Sequence, residues 1–179
     1  MNIPNILSLL RVLLTPLFAI FLIKHRFGSA LLVFAIAAIS DGLDGLTARI
    51  FRQHTTLGTY LDPAADKLLL LTAFVTLGIQ ELIPSWLAVI VITRDIVILS
   101  GVALLTILGR EFEPTPSILS KITTVAQIVS VIIVLSGFHV QRLAQAHIQA
   151  PVFWFAAGMT IVSGLQYIYR GLGLLQEES

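Results

Sequence analysis

The chain holds five aspartates among 179 residues, and four of them, Asp41, Asp44, Asp62 and Asp66, fall within 26 consecutive positions. Asp41 and Asp44 are spaced i,i+3, and Asp62 and Asp66 i,i+4, so each pair shares one face if its segment is helical. Both pairs sit at the ends of apolar segments. Carboxylates at membrane depth are costly and usually line a site or an ion path. Four carboxylates facing one another cannot all stay ionised without cations. Oxygen-only ligands, with no cysteine in the chain and no paired histidines nearby, suit hard divalent ions such as Mg²⁺ or Mn²⁺. The bland reading is a set of helix caps and boundary acids. Asp62 precedes Pro63, a residue favoured in a first helical turn.

The neighbours of these acids are small. Gly42, Gly45, Ala48 and Gly58 either let a bulky polar ligand approach the backbone or let two helices pack closely. Arg49 can grip a phosphate with its planar fork or snorkel to an interface.

The elements that must carry these residues are apolar. The chain is 56% hydrophobic and 12% charged, against about 25% charge in soluble domains, and its mean hydropathy is +0.94. That excludes a disordered chain and argues against a water-soluble globule of this size. A net charge of +1 gives no footprint for a nucleic acid. Apolar runs at 6–23, 28–50, 61–79, 86–108, 122–138 and 151–169 approach the ~20 residues that cross a bilayer as a helix. Continuous runs argue against a β-barrel, whose strands alternate. The expectation is an all-α polytopic membrane protein: one domain over 1–179 with six transmembrane helices. Residues 50–61 would turn the second helix back beside the third as an antiparallel neighbour, bringing both aspartate pairs to one level. The first run is too long for a removable signal peptide. Six crossings put both termini on one side. Arg49, Arg52, Arg110, Lys121 and Arg170, against Lys24, Arg26 and Arg142, favour the cytoplasm for that side and for the site.

Read together, the residues spell Asp41-x-x-Asp44-Gly45-x-x-Ala48-Arg49, eight residues, then Gly58-x-x-x-Asp62-x-x-x-Asp66. This resembles the signature of the CDP-alcohol phosphatidyltransferase family in every residue type and spacing. The segment from Asn2 to Arg11, Ile92-Thr93-Arg94-Asp95, and Ser120 through Gln127 resemble the phosphatidylglycerophosphate synthases and related cardiolipin synthases. The similarity runs from residue 1 to about 135. It implies a six-helix membrane enzyme of the inner or cytoplasmic membrane, usually a homodimer. Such an enzyme moves a phosphatidyl group from CDP-diacylglycerol to an alcohol and releases CMP. It further implies two divalent metals on Asp41, Asp44, Asp62 and Asp66. Asp66 would be the base for the acceptor hydroxyl, and Gly45, Ala48, Arg49 and Gly58 would line the CDP pocket.

Glycerol-3-phosphate is the first expectation for the acceptor, and phosphatidylglycerol, giving cardiolipin, is the alternative. Either carries a phosphate, so cations away from the metals are needed: Arg94, Lys121, Arg110 and Arg11. Asp95 lies about 100° round the helix from Arg94, which predicts that the two do not pair. Arg94 would then need another anion, an aspartate of the cluster or the acceptor. A remote alternative is a small divalent-metal carrier, but carriers place their acids near the bilayer midplane.

Overall fold

Among the described residues, six α-helices form where the apolar runs lie: α1 (Ile3–Ile23), α2 (Phe27–Phe51), α3 (Thr56–Ile79), α4 (Ser85–Ile107), α5 (Ile118–Gly137) and α6 (Ala146–Gln176), with a 3₁₀ turn at Gln141–Ala144. The structure is a computed structural model that describes the backbone of residues 3–51, 56–107 and 117–176, and the side chains of 9–40, 67–104, 107, 117–171 and 173.

The helices satisfy their own polar groups, as a lipid solvent demands. Thr15, Ser40, Thr124, Ser130 and Thr160 each donate a hydroxyl to the carbonyl four residues back. Two connections close with the same device. His25 and Glu81 adopt φ of 53° and 55°. Around His25, Arg26 N–H donates to the Phe21 carbonyl and His25 N–H to that of Leu22. Around Glu81, Leu82 donates to Leu77 and Glu81 to Gly78. Both are Schellman closures with a non-glycine residue in the left-handed position.

The six-span expectation is corrected. Among the described residues, three helices are long and apolar enough to cross a membrane: Ser85–Leu104, Ile118–Gly137 and Ala146–Gly171. The apolar stretches of the first three helices, Leu9–Ile23, Phe27–Ser40 and Lys67–Ile79, are shorter. The described side chains begin at Leu9 in α1, end at Ser40 in α2 and begin again at Lys67 in α3, and the apolar stretch within each described part is shorter than the ~20 residues of a full crossing. The argument for termini on one side, which needed an even number of crossings, goes with it. The break expected over 139–150 is also shorter, because α6 begins at Ala146 and carries Pro151 within it.

Short connections make successive helices reverse, so the bundle has two ends. At one end, Phe27 stacks on Phe138 at 3.7 Å, Trp86 on Trp154 at 4.7 Å, and Gln80 donates to the Leu22 carbonyl at 3.0 Å. Lys24, Arg26 and Arg142, in or beside the connections at that end, therefore share it. The other end holds the close of α2 and the start of α3. The helix α1 packs on both α2 and α3, α6 packs on α4 and α5, and α2–α5, α3–α4 and α3–α5 contacts join the two groups. Among the described residues α2 and α3 meet chiefly through α1 instead of as direct neighbours.

Candidate active site

Helix geometry places Asp41, Asp44, Gly45, Ala48 and Arg49 in the closing turns of α2, and Gly58, Asp62 and Asp66 in the opening turns of α3. Four residues separate the two helices. A chain rises at most ~3.6 Å per residue, so the two acid-bearing ends stay together. The side chains of these eight residues lie outside the described ones, and Arg110 lies outside them altogether. Among the described residues no group of three or more His, Cys, Asp or Glu side chains gathers.

One residue beyond Asp66, the described part of the site begins. Lys67 on α3 donates to Asp95 Oδ1 on α4 at 2.5 Å. Arg94 Nη1 donates to the same oxygen at 2.7 Å. Arg94 Nη2 then donates to Ser120 Oγ on α5 at 3.1 Å and to Ser163 Oγ on α6 at 2.9 Å. The guanidinium carbon stands 5.7 Å from the Tyr167 ring centroid, within reach of a cation–π contact. Arg94 is thus a hub that ties α4 to α5 and α6, and Asp95 ties that hub to α3.

Helical spacing predicts that Arg94 and Asp95 do not pair, and the structure corrects this. The helical spacing rule concerns Cβ positions, whereas the long arginine arm swings its Nη1 back to its neighbour. Lys67 was missed as well. Its signal was present in the sequence: Lys67 and Asp95 each lie in an apolar stretch with no opposite charge three or four positions away. Neither has a partner at the usual helical spacing, which left a pair across helices open to both. Ser163, a small polar residue in an apolar run, carried no sequence signal beyond its type.

The electrostatics follow from the count. Among the described residues, one carboxylate serves two cations. The Arg94 and Asp95 side chains are 8% and 12% exposed, where charges interact more strongly than in water. Arg94 Nε is buried with no hydrogen-bond partner among the described residues, so one donor of the guanidinium remains unspent among them. Lys121 follows Ser120 on α5 and is exposed, and Arg11 on α1 is 1% exposed. Burial of a guanidinium this complete calls for charged or polar company. Nearby, Thr123 donates to the Met159 carbonyl at 3.0 Å and Gln127 to Thr160 Oγ1 at 3.2 Å. These cross-helix bonds fix α5 against α6 on the same side of the bundle.

Comparison with known proteins bears on this arrangement. Human cardiolipin synthase (CMP-forming) is 32% identical over 98% of this chain and 63% of its own length. The Streptomyces coelicolor cardiolipin synthase (CMP-forming) is 40% identical over 66% of this chain and 56% of its own. The chain therefore spans between half and two thirds of the length of these two synthases. A CDP-diacylglycerol–glycerol-3-phosphate 3-phosphatidyltransferase of Bacillus subtilis is 31% identical over 94% of both chains. The CDP-alcohol phosphatidyltransferase profile matches residues 1–162, further than the 135 or so that the motifs alone suggested and well into α6. The acid-bearing helix ends, the charged hub beside them and this match agree, and the chain belongs to the CDP-alcohol phosphatidyltransferase family.

Proposed function

We propose that the chain, acting as one membrane domain over 1–179, transfers a phosphatidyl group from CDP-diacylglycerol to the hydroxyl of a phosphate-bearing acceptor. The observation that carries this is the complete acidic signature on two joined helix ends, in a family member that gathers two cations on Asp95 beside it. In the transfer, the acceptor oxygen forms a bond to the phosphatidyl phosphorus. The bridging P–O bond to CMP breaks, and CMP leaves with that oxygen. The acceptor proton passes to a carboxylate oxygen of Asp66. A carboxylate is a weak base, near pKa 4 in water, so placement against the hydroxyl matters more than basicity.

Asp41, Asp44, Asp62 and Asp66 would hold two divalent ions, Mg²⁺ or Mn²⁺. Their oxygen-only donor set fits such ions, and the chemistry the ions supply is charge neutralisation at the donor pyrophosphate. Gly45, Ala48, Arg49 and Gly58 would take the CDP moiety. Arg94, Lys121, Arg110 and Arg11 would hold the acceptor phosphate, with the unspent Nε as the part of Arg94 that remains free to do so. The motif end would face the cytoplasm, on the balance of Arg49, Arg52 and Lys121 against Lys24, Arg26 and Arg142. A homodimer is the expected assembly.

Phosphatidylglycerol, which would give cardiolipin, moves ahead of glycerol-3-phosphate as acceptor. Its support is the similarity to cardiolipin synthases, including one that aligns with nearly the whole of this chain. Glycerol-3-phosphate remains the second reading, because the chain matches 94% of the Bacillus subtilis 3-phosphatidyltransferase in length. The decisive experiment offers purified, reconstituted protein labelled CDP-diacylglycerol with each acceptor in turn. Labelled cardiolipin is the expected product. Product with glycerol-3-phosphate alone would reject the first reading, and release of CMP with neither acceptor would reject both.

A further inference from the structure

The face of α5 and α6 that points away from the core carries a long apolar groove of ≈420 Å³. Ala126, 5% exposed, forms its floor. Val125 and Phe155, 59% and 56% exposed, form its rims, and Pro151 and Val152 line its far part. Lys121 is the one charged residue lining it, and it stands three residues into the membrane-length stretch Ile118–Gly137. From Lys121 to Val129 the groove follows α5 for roughly 12 Å at 1.5 Å per residue. An apolar channel that descends into the membrane-length part of two helices and ends in a single ammonium matches an acyl chain below an anionic headgroup.

The position of that ammonium links the groove to the reaction centre. Ser120, the residue before Lys121, accepts from Arg94. Arg94 shares Asp95 with Lys67, and Lys67 follows Asp66 in the chain. A headgroup held at Lys121 therefore sits at the same end of the bundle as the acidic motif. The acidic motif itself lies on α2 and α3 and the groove on α5 and α6, which leaves room there for a lipid other than the donor. We propose that this groove holds an acyl chain of the acceptor, and that the acceptor is an anionic phospholipid whose phosphate meets Lys121. The inference rests on the transferase reading and sharpens it, because glycerol-3-phosphate has no chain to place there.

Two measurements test it, one of them independent of turnover. The chain lacks cysteine, so Val125→Cys gives a single labelling site on the groove rim. A fluorophore there should be quenched more strongly by chain-brominated phosphatidylglycerol than by brominated phosphatidylcholine in the same vesicles. Lys121→Gln should abolish that preference. In the second arm, Val129→Trp fills the groove from an exposed position. It should raise the KM for long-chain phosphatidylglycerol about tenfold and leave the KM for CDP-diacylglycerol within about twofold.

Head-group-selective quenching without any turnover would uphold the groove and defeat the transferase reading. Turnover with quenching indifferent to headgroup would defeat the groove alone. Equal rises in both KM values would assign the groove to the donor and overturn the proposal. So would a loss of dimer, without change in either KM, on introducing Val129→Trp, because a second copy would then be what covers this face.

Discussion

At the scale of single residues, the expected chemistry rests on residue types, and the side chains of the four motif aspartates lie outside the described residues. Four aspartates at helical spacings announce a shared charge whatever surrounds them. Asp66→Asn should abolish transfer while binding of CDP-diacylglycerol persists, because three acids remain; a tritiated-donor binding assay beside a turnover assay separates the two. Near-normal turnover would remove Asp66 from the role of base. What the residue types did not disclose was the hub. Arg94 and Lys67 reach one oxygen of Asp95 through long arms, and arm reach is not encoded in spacing. Asp95→Asn should leave two cations sharing a neutral amide, and breaking a buried pair of this kind costs about 3–5 kcal/mol. Lys67 is 34% exposed in its side chain, so Lys67→Met alone should cost far less, about 0–1 kcal/mol. The double variant should recover part of the loss from Asp95→Asn, since one of the two stranded cations is then gone. Melting midpoints of the four proteins in detergent form the cycle that measures it, and strict additivity would mean that Lys67 and Asp95 do not share an interaction.

At the scale of elements, six apolar runs did become six helices, and the turns fell close to the polar breaks. Counting each run as a full crossing went too far: among the described residues, three helices carry an apolar stretch long enough to cross a membrane, and those of α1, α2 and α3 are shorter. The turn chemistry was also invisible in the sequence. Nothing in the types of His25 and Glu81 marks a left-handed residue, a position glycine normally takes. A non-glycine residue in that region carries roughly 1–2 kcal/mol of strain. Glu81 is exposed, so Glu81→Gly should relieve about 1 kcal/mol of it, seen as a raised thermal midpoint with unchanged turnover. No rise would mean that the Glu81 side chain repays its own strain through a contact that glycine lacks.

At the scale of the whole molecule, the bundle is divided lengthwise by polarity. Its large apolar core side chains, among them Phe18, Leu22, Phe34, Phe74, Leu77, Leu87 and Leu135, crowd the end that holds the Phe27–Phe138 and Trp86–Trp154 stacks. The buried charged residues Arg11, Arg94 and Asp95, with Ser40, Thr123 and Ser163, lie toward the end where α2 closes and α3 opens. In lipid, helices gain little from apolar contact as such and associate through close packing and cross-helix hydrogen bonds. One end therefore holds the helices together by shape, and the other by buried charge and cross-helix hydrogen bonds. This division predicts that the two ends fail differently. Phe34 is fully buried and its ring centroid lies 5.4 Å from that of Phe18, so Phe34→Ala opens a void between α1 and α2. The expected loss is about 3–5 kcal/mol, read as a lowered midpoint of unfolding in mixed micelles. Below that midpoint, both KM values should stay within about twofold of the parent, since no ligand-facing charge has moved. Asp95→Asn should instead shift KM or kcat well below its own midpoint. If Phe34→Ala raised the acceptor KM at temperatures where the protein is fully folded, the packed end would be part of the binding machinery and the division would not hold.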